Sequence, residues 1–267
     1  MLLKDIIEFK NGKKKPTSKG NVPVYGGNGI LDYTNQNNQN GESLIIGRVG
    51  AYCGCVYSHY GKCWISDNAI VGKVKEGNDF YYCYYLLKRL NLNSRHVGSG
   101  QPLMTQEILN NIEVNPCDYK IQQKIGRILK NIDDKIKKNN EINNNLSEQI
   151  KSIYDEIFNE YVDYKRLDEI SNVTIGKTPP RREQECFTAN KNDIKWVSIS
   201  DLGKSGMFVF DTSEKLTRES IDKYNVKVIP KDTVILSFKL TVGRTGFITE
   251  NMTTNEAIAH FDLNNKK

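Results

Sequence analysis

Apolar residues in the middle of the chain recur at every seventh position. Counting from Leu129 gives Leu129, Ile136, Asn143, Ile150 and Ile157, and counting from Ile132 gives Ile132, Asn139, Leu146 and Ile153. Only the two asparagines break the aliphatic series, which is the heptad pattern of a helix with one apolar seam. No Pro or Gly lies between Arg127 and Lys165, and Pro116 with Asp118 supplies a start signal. The spacing predicts a single helix over 119–161, about 60 Å long at about 1.5 Å per residue. A small domain cannot cover so long a stripe, so a second long helix is required. The pairing residues are Leu129, Ile132, Ile136, Leu146, Ile150, Ile153 and Ile157. Asn139 and Asn143 have two readings: they face solvent while Ile142 takes the apolar side, or they form a buried polar pair that fixes register.

The flanking segments carry a different period. Short β-type runs stand at Ser43–Ile46, Gly54–Tyr57, Ala69–Val74, Lys195–Ile199, Val226–Ile229 and Thr233–Phe238, separated by turn residues such as Gly26-Gly27-Asn28-Gly29 and Gly77-Asn78-Asp79. Phe80–Leu92 has the spacing of a helix packed on a sheet, and Thr105–Asn111 reads as a further helical turn or two. The fold class is α+β, with mixed sheet and helices in a first domain at 1–118, the long helix at 119–161, and a second domain from 162 to 267.

The two flanks resemble each other. Leu3, Ile6, Phe9 and Gly12-Lys13 reappear as Leu167, Ile170, Val173 and Gly176-Lys177, displaced by 164. Glu42–Ile46 matches Asp232–Leu236 at 190, and Asp67–Ile70 matches Asn255–Ile258 at 188. Order is kept, so one fold used twice is the economical explanation. On this alignment the second copy reaches only the equivalent of about position 79. Nothing in it corresponds to Phe80–Cys117 or to the long helix, and the second domain is expected to be incomplete.

Composition narrows the class. The longest apolar runs, Leu44–Ile46 and Val234–Leu236, fall far short of the roughly 20 residues of a membrane span. The N-terminus lacks the basic-then-apolar layout of a signal peptide. Six scattered cysteines make no disulfide framework, so a cytoplasmic protein is expected. The 38 basic and 32 acidic residues give a net charge of +6, and the excess lies in the flanks rather than in the long helix. That balance is a weak pointer to a polyanionic partner.

Candidate chemistry follows the basic residues. Lys10, Lys13, Lys14, Lys15 and Lys19 crowd one short stretch beside Gly12 and Gly20, which suits a basic loop contacting phosphates; a solvated loop is the plain alternative. Arg48, Lys62, Arg95 and Gln101 add groups able to meet DNA, since Arg pairs bidentately with guanine and Asn or Gln with adenine. Asn28 and Asn68 are further candidates. In the second flank Arg181, Arg182, Lys195, Lys239 and Arg244 are analogous. Cys53, Cys55, His59 and Cys63 have a superficially metal-like spacing, but they sit in a Tyr/Val-rich strand pattern and read as packing residues. No metal and no cofactor is called for. Enzyme signatures are missing as well: Gly176-Lys177-Thr178 has Ser171 where a phosphate loop needs Gly, and no zinc-protease, methyltransferase or dinucleotide motif occurs.

Several segments resemble the DNA-specificity subunit of type I restriction-modification systems. Leu3–Lys13 and Leu167–Pro179 resemble the opening of a target recognition domain. Ile46–Tyr52 and Trp64–Ala69 resemble its central strands, and Gly98–Pro102 its closing segment. Ile121–Ile125 running into Ile132–Ile136 resembles the start of the spacer helix. The resemblance implies two target recognition domains, each reading one half of a split double-stranded DNA sequence, with paired long helices setting the gap. It implies docking of methyltransferase (modification) and restriction subunits and no catalytic residue in the chain itself. It also implies a distal helix that this sequence does not show, so self-association or pairing with another specificity chain is expected. The alternative is a chain that binds no DNA and acts only through helix-mediated association.

Overall fold

A computed structural model of the chain describes residues 1–98, 100–159, 165–239 and 241–262. It comprises two units, Met1–Asn143 and Asn144–Lys267, whose boundary falls inside the long helix.

Unit 1 contains strands β1 (Ile7–Asn11), β2 (Val22–Gly26), β3 (Gly29–Thr34), β4 (Ser43–Gly47), β5 (Val56–His59), β6 (Trp64–Ile65) and β7 (Ala69–Val74). It also contains helices α1 (Phe80–Arg89) and α2 (Gln106–Asn110) and the first part of α3 (Tyr119–Phe158). One sheet runs β1-β7-β4-β5 with all neighbours antiparallel; the other runs β3-β2-β6, with β2 parallel to β6. The hairpin joining β2 to β3 turns at Gly27-Asn28, and Gly29 (φ +84°) takes the left-handed conformation that favours glycine.

Every position of β4 is buried because apolar material covers both of its faces. On one side Ile45 packs with Tyr25, Cys63, Ile65, Ala69 and Val71. On the other, Leu44 and Ile46 join Leu3, Ile7, Phe9 and Ile70 beneath Phe80, Cys83 and Leu87 of α1. Those three α1 residues lie at i, i+3 and i+7, the inward stripe of an amphipathic helix. The Asp79 carboxylate caps the helix by accepting from the Tyr82 amide at 2.8 Å.

The outer side of α1 holds the start of α3. Buried Gln122 accepts from the Asp79 amide at 3.0 Å and donates to the Cys117 carbonyl at 2.8 Å. Gly126 leaves no room for a side chain, since a Cβ there would overlap the Asp79 carboxylate and crowd the Tyr82 amide. Tyr85 donates to Asp133 at 2.8 Å, and Lys130 pairs with Asp134 while lying over the Tyr81 ring. From Lys135 to Asn159 every residue is exposed.

Unit 2 begins in α3 and adds α4 (Leu167–Ile170), β8 (Asn172–Ile175), β9 (Phe187–Thr188), β10 (Ile194–Val197), α5 (Ile199–Lys204), β11 (Phe208–Val209), β12 (Glu214–Leu216), α6 (Arg218–Tyr224), β13 (Val234–Ser237), β14 (Thr245–Ile248), β15 (Thr253–Thr254) and β16 (Ile258–Asp262). Its sheets run β11-β14-β13-β16-β8 and β15-β10-β12-β9. The run β8-β16-β13-β14 reproduces β1-β7-β4-β5, again antiparallel throughout. The run β15-β10-β12 reproduces β6-β2-β3, including the parallel pair. The duplication read from the sequence is therefore a duplication of topology.

Register corrects one displacement. Asn11 pairs with Ile70 and Ile175 with Ala259, so β7 maps onto β16 at 189 rather than 188. Matching Ala-Ile to Ala-Ile slips the strand by one residue, which exchanges its two faces. Other boundaries also move. Val226–Ile229 is no strand: Asn225 ends α6 in the left-handed conformation, Val226 packs with Trp196 and Leu216, and only Ile229 bridges to Met252. The run from Lys195 stops at Val197 because Ser198 caps α5, accepting from the Asp201 amide. β5 begins at Val56 because Gly54 (φ +82°) still belongs to the preceding turn. The helix end expected at Tyr161, the domain boundary expected at 162, and Ser99 of the Gly98–Pro102 segment lie outside the described residues. No helix among the described residues is long and apolar enough to cross a membrane.

His260 on β16 is buried between the hydroxyls of Thr254 at 2.6 Å and Thr174 at 3.1 Å. Burial, reinforced by the nearby Lys227 charge, pushes its imidazole down to about 4. The unfolded chain takes up this proton below about pH 6.5, whereas the folded chain refuses it until about pH 4. Stability is therefore complete above that window and is lost as the pH falls through it, at about 1.4 kcal/mol per pH unit. Thermal unfolding of the wild type and H260Q, compared from pH 7 down to about 4, should show a steeper decline for the wild type; parallel curves would refute the assignment.

Candidate nucleic-acid interface

The turn Ser66–Ala69 gathers the loops of unit 1. Gly12 donates to the Ala69 carbonyl and Lys13 to the Ile65 carbonyl, each at 3.0 Å. The Arg48 amide donates to the Asn68 carbonyl at 2.9 Å, and its guanidinium reaches the Asp67 carbonyl at 3.2 Å. Ser66 donates to the Tyr25 carbonyl at 2.8 Å, which brings the β2–β3 hairpin alongside. The segment after Gln101 joins the same group: Gly50 donates to the Pro102 carbonyl and Met104 to the Arg48 carbonyl. One rim thus carries Lys13, Lys14, Arg48, Asn68, exposed Asn28 and exposed Gln101.

The basic residues divide into anchored and available. Lys15 pairs with Asp32 on β3, and Ser18 bonds to Thr34, so the lysine loop is fastened to the hairpin. The Lys15 ammonium, with the Tyr33 amide behind it, holds the Asp32 carboxyl below its ordinary range. Lys10 does not belong to the loop; it lies in β1 and pairs with Glu8 at 2.9 Å. Among the described residues Lys13 and Lys14 have no carboxylate partner, Lys19 acts on Asp32 through its charge alone, and all three are exposed. Lys62 sits at the other end of the sheet, in the turn after His59, whose strand partner is Ser43. Arg95 turns back to the Leu90 carbonyl at the end of α1, at 3.1 Å. Lys62 is not brought to the rim, whereas Arg95 lies between Asn93, which packs on Gly54, and Val97, which bridges to Leu103. Cys53 and Cys63 pack in separate cores on opposite faces of the sheet, and His59 bonds to the Tyr25 hydroxyl.

Unit 2 repeats four of these backbone bonds. Gly176 donates to the Ile258 carbonyl at 3.0 Å and Lys177 to the Thr254 carbonyl at 2.9 Å. Phe238 donates to the Ala257 carbonyl and Asn255 to the Val197 carbonyl, each at 3.0 Å. Phe238 thus takes the place of Arg48, and exposed Lys239 and Arg244 lie in the loop that follows β13. Arg181 is anchored like Lys15: it pairs with Glu214 at 2.7 Å, and its guanidinium stacks on Phe187 at 4.1 Å and Trp196 at 4.7 Å. Lys195 pairs with Glu250, while Arg182 is exposed. Lys177 is the residue the charge reading missed. The Gly-Lys repeat at a displacement of 164 already marked it as the counterpart of Lys13.

A model of the family described as Type I restriction modification DNA specificity domain matches residues 1–148 and 159–267. The chain belongs to that family. This specificity-domain chain is 32% identical over 111 residues to the Type I restriction enzyme EcoprrI specificity subunit of Escherichia coli, covering 42% of this chain and 28% of that one. It is 27% identical over 259 residues to S.HindORF215P of Haemophilus influenzae, covering 91% of this chain and 66% of that one. The chain thus spans less than two thirds of the length of these relatives. The crystal structure of a type I restriction-modification system S subunit from M. genitalium superposes with a TM-score of 0.62 at 16% identity, covering 99% of this chain and 72% of that chain. At that identity the likeness is one of fold.

Gly12 and Gly176 make both rims possible, because a Cβ at either would overlap backbone of the crossing turn, at Ser66 or at Thr254 and Asn255. G12A should destabilise unit 1 and G176A unit 2, each by about 1–3 kcal/mol. Limited proteolysis and thermal unfolding of each variant check this, and wild-type stability in both would contradict it.

Proposed function

We propose that this chain is the DNA-recognising polypeptide of a type I restriction-modification complex, with each unit laying its rim on one half of a split duplex sequence. Supporting this is the duplicated rim, in which Lys13 and Lys177 occupy the same hydrogen-bonded position of two equivalent sheets. Lys13, Lys14 and Lys177 position the duplex through phosphates, while Arg48, Asn68, Asn28 and Gln101 in unit 1, and Lys239 with Arg244 in unit 2, face the bases. The chain holds no catalytic group or cofactor of its own and works in the cytoplasm, where it docks modification and restriction subunits.

Binding of the purified chain to a labelled duplex should weaken steeply between about 50 and 200 mM salt. Replacing Lys13 and Lys14 together by Ala should lower the slope of log affinity against log salt by about two, at about one phosphate per lysine. K15A should change the slope less, because Asp32 already neutralises that ammonium. No binding at the lowest salt would exclude the reading.

A second activity is favoured by the seam of α3. Ile132, Ile136, Leu146, Ile150, Ile153 and Ile157 are each about half exposed, and burying each against a second helix is worth roughly 1 kcal/mol. Asn139 and Asn143 lie on the same exposed seam, so their burial awaits that partner. Sedimentation should show self-association of the chain that I150D combined with I153D abolishes, while the melting of unit 1 is unchanged. Persistence of the dimer in that variant would place pairing elsewhere.

A further inference from the structure

Register makes the smaller sheets of the two units comparable residue by residue, and they part at β3. Val24 and Trp196 hold the same place: each pairs with a parallel neighbour, at Trp64 and Thr253, and with an antiparallel one, at Asp32 and Glu214. In unit 2 the far side of β12 is closed by β9, where Lys215 pairs with Thr188 and Leu216 with Phe187, and both β12 residues are buried. In unit 1 β3 is itself the edge of its sheet, and Tyr33, the counterpart of Lys215, is 49% exposed. The connections differ as well. β10 reaches β12 through α5 and β11, whereas β2 turns straight into β3. Just after that turn Ile30 and Leu31 are 47% and 52% exposed. A shift of register opposite Val24 and Tyr25 leaves Leu31 as the extra residue of a bulge, a device that re-aims a side chain. Its side chain lies over Gly26, where a Cβ would overlap it. The next residue, Gly27, lies against the rim: a Cβ there would stand 3.5 Å from the Asn68 carbonyl and 3.6 Å from the Val49 carbonyl.

We propose, resting on the DNA-binding reading above, that Leu31, flanked by Ile30 and Tyr33, is a specificity-determining contact of unit 1 that packs on the 5-methyl group of thymine in the major groove. A contiguous exposed apolar strip marks an interaction surface, and charge selects its partner. Asp32 is the only carboxylate of residues 22–34; Lys15 neutralises it, and Lys19 adds its charge. The lysine loop follows the same strand, since Ser18 bonds to Thr34 and a Cβ on Gly20 would overlap the backbone of Thr34 and Asn35. Exposed Lys14 and Lys19 therefore stand before and after the Lys15–Asp32 pair along the loop. An apolar strip bordered by cations, its one acid silenced, fits a polyanion that displays methyl groups between its phosphates. The exposed run from Ile30 to Tyr33 is about 10 Å long at about 3.3 Å per residue, within the roughly 12 Å width of the major groove. Thymine alone among the four bases presents a methyl there. Leu31 has no group that hydrogen-bonds a base edge, so a methyl is what it can read, beside the polar contacts that Asn28 and Asn68 offer.

The probe is a duplex selected on the full chain, at low salt, from a pool with a randomised stretch. Each of its thymines is then replaced singly by deoxyuridine, which lacks only the methyl. At one or two positions uracil should weaken binding about fourfold, the worth of one buried methyl. L31A, at an exposed position, should melt as the wild type does, bind both duplexes alike and keep the salt slope. G26A should act in the same direction, because the new Cβ pushes Leu31 aside. Replacing Lys13 and Lys14 by Ala should instead lower the slope and preserve the thymine preference. Selected binding that is indifferent to the methyl at every position, or a thymine preference that L31A retains, overturns the inference and leaves the proposed function standing. Failure to bind any duplex at low salt excludes that function and this contact together.

Discussion

A strand that is apolar on both sides must be kept from water on both faces, and that demand organises unit 1. β4 meets it by lying between two cores, one built with the β2–β6 sheet and one built with α1. Every residue of Ser43–Gly47 is consequently buried, and the strand reads as a nearly continuous apolar run rather than an alternating one. Gly72 in the neighbouring β7 is part of the same solution. It leaves the space into which Ile7, Phe9 and Leu44 pack, with their atoms 3.0–3.3 Å from where a Cβ would stand. Any side chain there would have to push one of them aside.

Because α1 closes the sheet, it also becomes the mount for the long helix. Its inward residues Phe80, Cys83 and Leu87 belong to the core, while its capping Asp79 and outward Tyr85 face α3. Gln122 makes the joint specific. It is buried, and its amide is satisfied on both ends by the Asp79 amide and by the Cys117 carbonyl. An apolar residue at that position would strand the Asp79 amide and the Cys117 carbonyl, at about 1–3 kcal/mol for each buried group left unpaired. Gly126, one turn further, brings the backbones close. The attachment occupies only the opening turns, so the remainder of the seam keeps its apolar side chains exposed.

Strong periodic signals were legible from the sequence, and close-contact signals were not. The heptad seam predicted α3 to within a few residues because seven aliphatic side chains at helical spacing leave no other conformation in which they share a face. Ala69–Val74 and Thr233–Phe238 were found for similar reasons, being β-branched runs between turns. The hairpin of β2 and β3 escaped notice because the middle of β3, from Ile30 to Tyr33, is exposed on both sides and carries Asp32, which is held by Lys15 rather than by burial. Val226–Ile229 misled because β-type composition also suits an irregular segment that packs on Trp196. In the basic stretch, charge alone did not separate Lys10 and Lys15, which have carboxylate partners, from Lys13 and Lys14, which do not. Glu8 stands two residues from Lys10 on the same side of β1, whereas Asp32 is brought to Lys15 by the β2–β3 hairpin.

That separation bears on how two equivalent rims can serve different sequences. Two backbone features are common to both, the Gly-Lys crossing and the amide donated to the central turn, together with a cation held by a strand carboxylate, Lys15 by Asp32 on β3 in one and Arg181 by Glu214 on β12 in the other. The elements that differ are side chains, above all Arg48 against Phe238. A guanidinium offers directed donors to a base edge, whereas a phenyl ring offers only apolar contact, such as that made with a thymine methyl. On the proposed function the shared backbone would hold phosphates alike in both halves, and the variable side chains would set what each half reads. Such a division lets sequence preference change by substitution at the loops without disturbing the sheet that carries them.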